Sequence, residues 1–196
     1  MEAKHSVHRA GIFIFLLGIC VSGCIAPAPP VASAHPNARV TDSGYALLYD
    51  LMGNEKDVSK LSIIKHERPE FHDLIRDISD RCGAAYDLLG DFAKADPSLN
   101  IKDQELPRAE MQTRQREGKA RGADLLTDKG RNLELQLMLT QNEAITYASH
   151  LSAVVAESET NVKRAQAVRQ MSTDFSALEE RIHTMLLTNY MWSADK

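Results

Sequence analysis

The sequence predicts an all-α protein: a four-helix up-down bundle with an extra short helix in one long connection, carried behind a signal peptide and a Pro/Ala-rich tether. Three observations predict it. Apolar residues recur in steps of three and four over long stretches, the later prolines punctuate those stretches, and no run alternates apolar with polar residues as a half-buried strand would. The content of 43% hydrophobic and 26% charged residues is that of a globular chain. A length of 196 residues suffices for a leader plus one domain with its own core.

The leader comes first. Lys4 and Arg9 stand in the first ten residues, residues 11–21 (GIFIFLLGICV) form an apolar run, and Ser22, Gly23 and Cys24 close it. The run is too short for a spanning helix of about 20 residues, so it reads as a secretory signal over 1–23. Val21-Ser22-Gly23-Cys24 resembles the lipobox of bacterial lipoproteins, where small residues before the cysteine let the backbone enter the signal peptidase. The resemblance implies cleavage between Gly23 and Cys24, a diacylglyceryl group on the Cys24 sulfur and acylation of the new amine. Each buried methylene contributes about 0.8 kcal/mol, so two or three acyl chains hold stably where one binds marginally. Ile25 stands where an Asp would imply retention at the inner membrane. The expected address is therefore the cell envelope, on an outer membrane and facing the periplasm. The other reading is an ordinary signal peptide with a chance cysteine.

From Ile25 to about Thr41, Pro27, Pro29, Pro30 and Pro36 deny a regular helix or a central strand, which predicts a flexible tether over 24–42. The bundle is expected over 43–192. Its first segment, 43–66, keeps a stripe of Tyr45, Leu48, Leu51, Val58 and Leu61, with Gly53 and Asn54 as a candidate kink. The second opens at Pro69, suited to a first helical turn, and repeats Phe71, Ile75, Ile78, Cys82, Ala85, Leu89 and Phe92 until Asp96-Pro97 stops it. Residues 96–130 form the long connection, with a polar helix over about 109–126 interrupted or weakened by Gly118 and Gly122. The last two helices are expected over about 131–157, with Leu137, Ala144, Ala148, Leu151 and Val155 on one face, and over about 160–190, with Val162, Ala165, Val168, Phe175, Leu178, Ile182, Met185 and Leu186. Helices of about 24 to 31 residues would match in length and lie side by side, and the short joins near Arg68 and Ser158 imply antiparallel neighbours.

The formal net charge is −4, and losing one acid and two bases with the leader takes it to −5. Without clustered Lys and Arg, nucleic acid is excluded as a partner. Met111 and the charged residues from Arg108 to Arg121 read as a wet helix, since acids and amides interleave and aromatics are missing. The expected partners are a membrane, reached through the N-terminal lipid, and an envelope protein. Only Cys82 remains inside the folded part, so no intramolecular disulfide can form there, and its place on an apolar stripe predicts a buried structural thiol.

The order of the pieces resembles the ferritin-like helical domains of uncharacterised bacterial envelope proteins. The likeness lies in FHDLIRDISDRCGAAYDLLGDFAKADPSLNIKDQELP, in LELQLMLTQNEAITYASHLSAVV and in ALEERIHTMLL. Members of such families often carry Asp-His pairs where this chain has Arg81-Cys82 and Gln141-Asn142. Di-iron bundles also need a Glu from each of two helices and Glu-x-x-His from each of the other two. Here only Glu180-Arg181-Ile182-His183 has that form; Asp77 and Asp80 share the spacing without a histidine, and Glu55 and Glu134 lie near apolar stripes. No metal site is assigned, and no cofactor is expected beyond the lipid on Cys24. Convergence of Glu55, Asp80, Glu134, Glu143, Glu180 and His183 inside the bundle would reverse that.

His66, Glu67, Glu70 and His72 cluster at a chain reversal and read as surface groups, and His150 as a packed or half-exposed histidine. No Gly-rich phosphate loop, nucleophile elbow or Cys-x-x-Cys pair occurs, so no catalytic residue is assigned. The leading expectation is a lipid-anchored envelope protein whose bundle is a non-enzymatic binding or structural module. The alternative is a ferritin-like metal-binding protein or oxidase using carboxylates with His183.

Overall fold

Repeats of three and four residues become the inner faces of long helices. The computed structural model describes residues 36–63 and 68–191, so Gly23, Cys24, His66 and Glu67 lie outside the described residues. Helices α1 (Pro36–Glu55), α2 (Ser59–Ile63), α3 (Pro69–Ala95), α4 (Arg108–Thr127), α5 (Gly130–Ser158) and α6 (Val162–Leu186) follow one another, and one π-helical turn, Leu187–Met191, ends the described chain. No strand occurs among the described residues, and no helix there is long and apolar enough to cross a membrane.

The predicted stripes form the core. Tyr45, Leu48 and Met52 of α1 meet Phe71, Leu74, Ile75, Ile78, Cys82 and Leu89 of α3, Leu137, Met138, Ile145 and Val155 of α5, and Val168, Phe175, Leu178 and Ile182 of α6. Full burial of each large side chain stabilises by about 1.5–3 kcal/mol. Helix α1 packs on both α3 and α5, while α6 packs on α5 and on α3. Gly44 permits the closest of these approaches, because any Cβ there would overlap Val155 Cγ2.

Hydrogen bonds near the helix ends give the chain directions. Thr41 of α1 donates to the carbonyl of Ser158 at 3.2 Å, Tyr45 donates to Glu159 at 2.8 Å, and Arg164 of α6 donates to Asp96, the C-cap of α3, at 2.6 Å. At the opposite end Arg68, before α3, bonds Glu134 near the start of α5 and Tyr190 beyond α6. Helices α3 and α5 therefore run one way, and α1 and α6 the other. Strict up-down alternation does not result, because the long connection carries the chain from the end where α3 stops back to the end where α3 began before α5 starts.

Four expectations are corrected. The tether does not reach 42: α1 already begins at Pro36, a residue whose fixed φ suits a first helical turn, and Thr41 is buried. The first helix breaks at Lys56–Val58, not at Gly53 or Asn54, and a short α2 follows. Gly118 and Gly122 do not interrupt α4, an exposed helix that runs unbroken for 20 residues. Val162, placed on the apolar stripe of α6, is 79% exposed, because it opens the helix just after the capping Asn161.

Candidate functional site

The buried and half-buried glutamates with their polar partners define three places. The first is the end of the fold where α5 stops. Glu159, 9% exposed, accepts from the Tyr45 hydroxyl at 2.8 Å, from Arg164 Nε at 2.8 Å and from the backbone N–H of Asn161 at 2.7 Å. Arg164 then reaches Asp96 at 2.6 Å. The Asn161 side chain caps α6 by accepting from the N–H groups of Lys163 and Arg164, which sets Arg164 in the first turn facing Glu159. Burial alone would raise the Glu159 carboxyl, but Arg164, the Asn161 N–H and Tyr45 together hold it below its ordinary value.

The second place repeats this chemistry where α5 begins. Glu134, 4% exposed, accepts from Arg68 Nε at 2.9 Å, from Arg68 Nη2 at 2.7 Å and from the Tyr190 hydroxyl at 2.8 Å. Its other oxygen accepts the Arg68 backbone N–H at 3.1 Å. Arg131 adds its guanidinium over the Tyr190 ring, 5.5 Å from the centroid. Burial again opposes ionisation, and the bonds from Arg68 and Tyr190 outweigh it, leaving the carboxyl below its ordinary value.

The third place lies between α1 and α5. Gln141, 1% exposed, donates Nε2 to the half-buried Glu55 at 2.7 Å. Burial pushes the Glu55 carboxyl above its ordinary value, and the Gln141 bond partly opposes this. Cys82 is fully buried, its thiol pushed far up by burial and, second, by the Glu55 charge.

The six candidate metal-binding residues do not converge. Asp80, Glu143, Glu180 and His183 are exposed; Glu143 pairs with Arg121 of α4 at 2.6 Å, and Glu180 lines a surface groove with Glu70, Leu74 and Met185. Glu134 is committed to Arg68, which leaves Glu55 as the single carboxylate of the six turned to an uncharged interior partner. Among the described residues no three His, Cys, Asp or Glu side chains form a group that could hold a metal. Asp77 instead bonds Arg181 and lies near Arg81, tying α3 to α6. Glu70 and His150 are exposed, and His72 is half-buried.

The two carboxylate clamps escaped the sequence reading. Arg68 precedes a helix, Glu159 follows one and Tyr190 sits beyond the last apolar repeat, so none falls on a periodic face. The available signal was positional: each clamp joins a glutamate at an end of α5 to an arginine at the start of the next helix in space.

The fold is similar to that of a DUF305 protein from Streptomyces coelicolor, provisionally described as secreted, with a TM-score of 0.63 and 16% sequence identity over 77% of this chain and 94% of that one. No protein-family model matches the sequence, and no curated protein matches it. The likeness defines the class as an all-helical fold shared with that protein.

Proposed function

We propose that this chain is an envelope lipoprotein, held on a membrane through lipid on Cys24, whose ferritin-like four-helix bundle is a binding or structural module. The observation that carries the reading is Val21-Ser22-Gly23-Cys24 at the end of an eleven-residue apolar run behind Lys4 and Arg9. The provisional description of the Streptomyces coelicolor protein as secreted supports an extracytoplasmic address. The course of the chain supports the ferritin-like arrangement: α1 and α3 antiparallel, a long connection, then α5 and α6 antiparallel, which is the bundle class with one crossover. The start of α1 at Pro36 shortens the tether to residues 24–35, at ~3.1 Å per residue still some tens of ångströms if extended. The buried carboxylates support a structural or binding role, since Glu134 and Glu159 are tied to arginines inside the fold and not presented in an open cleft.

The test is metabolic labelling with a palmitate analogue, followed by membrane fractionation and mass spectrometry of the mature N-terminus. Label on a chain beginning at Cys24, lost together with membrane recovery in Cys24→Ala, is the expected result. Normal processing of Cys24→Ala with unchanged recovery in salt-washed membranes would overturn it. Separation of inner from outer membranes then reads the expected outer-membrane address.

A further inference from the structure

Three buried side-chain polar atoms among the described residues lack a hydrogen-bond partner, Gln141 Oε1, Asn142 Oδ1 and Ser152 Oγ, and the first belongs to the side chain that bonds Glu55 where α1 meets α5. Gln141 Nε2 donates to Glu55 Oε2 at 2.7 Å, whereas Gln141 Oε1, on a side chain that is 1% exposed, has no hydrogen-bond partner. A primary amide presents donors on one side and an acceptor on the other, and a carboxylate answers only the donors. A carboxylic acid answers both: its carbonyl oxygen accepts the amide N–H while its O–H donates to the amide oxygen. We propose that the folded protein binds a proton on Glu55 Oε1, shared toward Gln141 Oε1, so that Glu55 and Gln141 form a closed acid–amide pair in the interior.

The surroundings favour the neutral acid. Burial raises the carboxyl, opposed by the Gln141 bond alone. In the turn that follows α1, Lys56 directs its ammonium to the Tyr86 ring, 3.9 Å from the centroid. Helix α3 brings the Cys82 thiol, held neutral by burial and by the Glu55 charge, so it offers a Glu55 carboxylate no cationic partner. The inward residues of α6, among them Val168, Met171, Phe175 and Leu178, are apolar and bring no charge.

A proton bound here is linked to folding. Because the folded carboxyl titrates above the unfolded one, this pair contributes its full stability below the ordinary glutamate value and loses it as pH rises through the folded midpoint. The pair would respond to acidification of the compartment without any surface histidine.

The test is a pH titration of the full mature protein with 13C-labelled glutamate side chains, assigned through Glu55→Gln. The expected result is one carboxyl carbon with a midpoint above that of an ordinary glutamate, absent in Glu55→Gln. The infrared carbonyl band of a protonated carboxyl, present in the wild type in mild acid and bleached as pH rises, needs no variant and covers the case in which Glu55→Gln fails to fold. A Glu55 midpoint at or below the ordinary glutamate value, or no such band, would overturn the proposal. Neither readout depends on lipidation of Cys24, so the anchor can fail while the pair stands.

Discussion

Arg68 grips Glu134 with three donors: Nε at 2.9 Å and Nη2 at 2.7 Å on one carboxylate oxygen, and its backbone N–H at 3.1 Å on the other. The contact joins the residue before α3 to the second turn of α5, 66 positions further on, and Tyr190 closes it from beyond α6. Glu159 with Arg164 and Tyr45 repeats the arrangement at the far end. Helix α5 is thus held at both ends by a buried carboxylate, an arginine and a tyrosine.

Replacing Glu134 by Ala leaves the Tyr190 hydroxyl and the Arg68 backbone N–H without their acceptor. Arg68 is 41% exposed and can turn to water, which limits the loss. The expected destabilisation is about 1–3 kcal/mol in urea denaturation, with Glu134→Gln at the lower end. A change below about 0.3 kcal/mol would show that the clamp contributes specificity of packing and not stability.

The same carboxyls set the response to acid. Glu134 and Glu159 are held below the ordinary glutamate value of 4.5, so their contribution is complete above that value and is lost as pH falls through the folded midpoints. Glu55 has the opposite sign and loses its contribution as pH rises above 4.5. Thermal midpoints measured from pH 3 to 8 should climb steeply on the acid side and sag gently toward neutrality. The double variant Glu134→Gln, Glu159→Gln should flatten the acid limb and leave the sag.

Gly44→Ala should destabilise by about 1–3 kcal/mol, because the new methyl overlaps Val155 Cγ2 where α1 crosses α5. Adding Val155→Ala removes the overlapping atom. The double variant should therefore be more stable than the sum of the two single changes, by at least about 0.5 kcal/mol in a denaturation cycle.

Cys82 should behave as a structural thiol. It is fully buried and held neutral, so reaction with an aromatic disulfide reagent in the native state should be slower than in denaturant by on the order of 100-fold. Rapid labelling of the native protein would place the thiol at the surface.

Helix positions and the core faces were legible in the sequence because burial repeats with the helical period. Phe71, Ile75, Ile78, Cys82 and Leu89 of α3 were predicted and are buried. The start of α1 was not, since Pro36 looks the same at the end of a Pro/Ala-rich tether as in a first helical turn, and only packing on α5 separates the two. The metal-site candidates show the same limit. Glu-x-x-His spacing puts Glu180 and His183 on one face of α6, but the rotation of α6 in the fold turns that face outward.

The helical type and order of the long elements, Cys82 on an apolar face and the apolar run that closes on Gly23-Cys24 follow from the chain alone, because they depend on local spacing and composition. The parallel course of α3 and α5, the two clamps and the meeting of Glu55 with Gln141 were decided only by tertiary structure. Each brings together residues 66 to 122 positions apart, or as near as Glu159 and Arg164 but across a turn, and no local pattern encodes which charged group a buried carboxylate will meet.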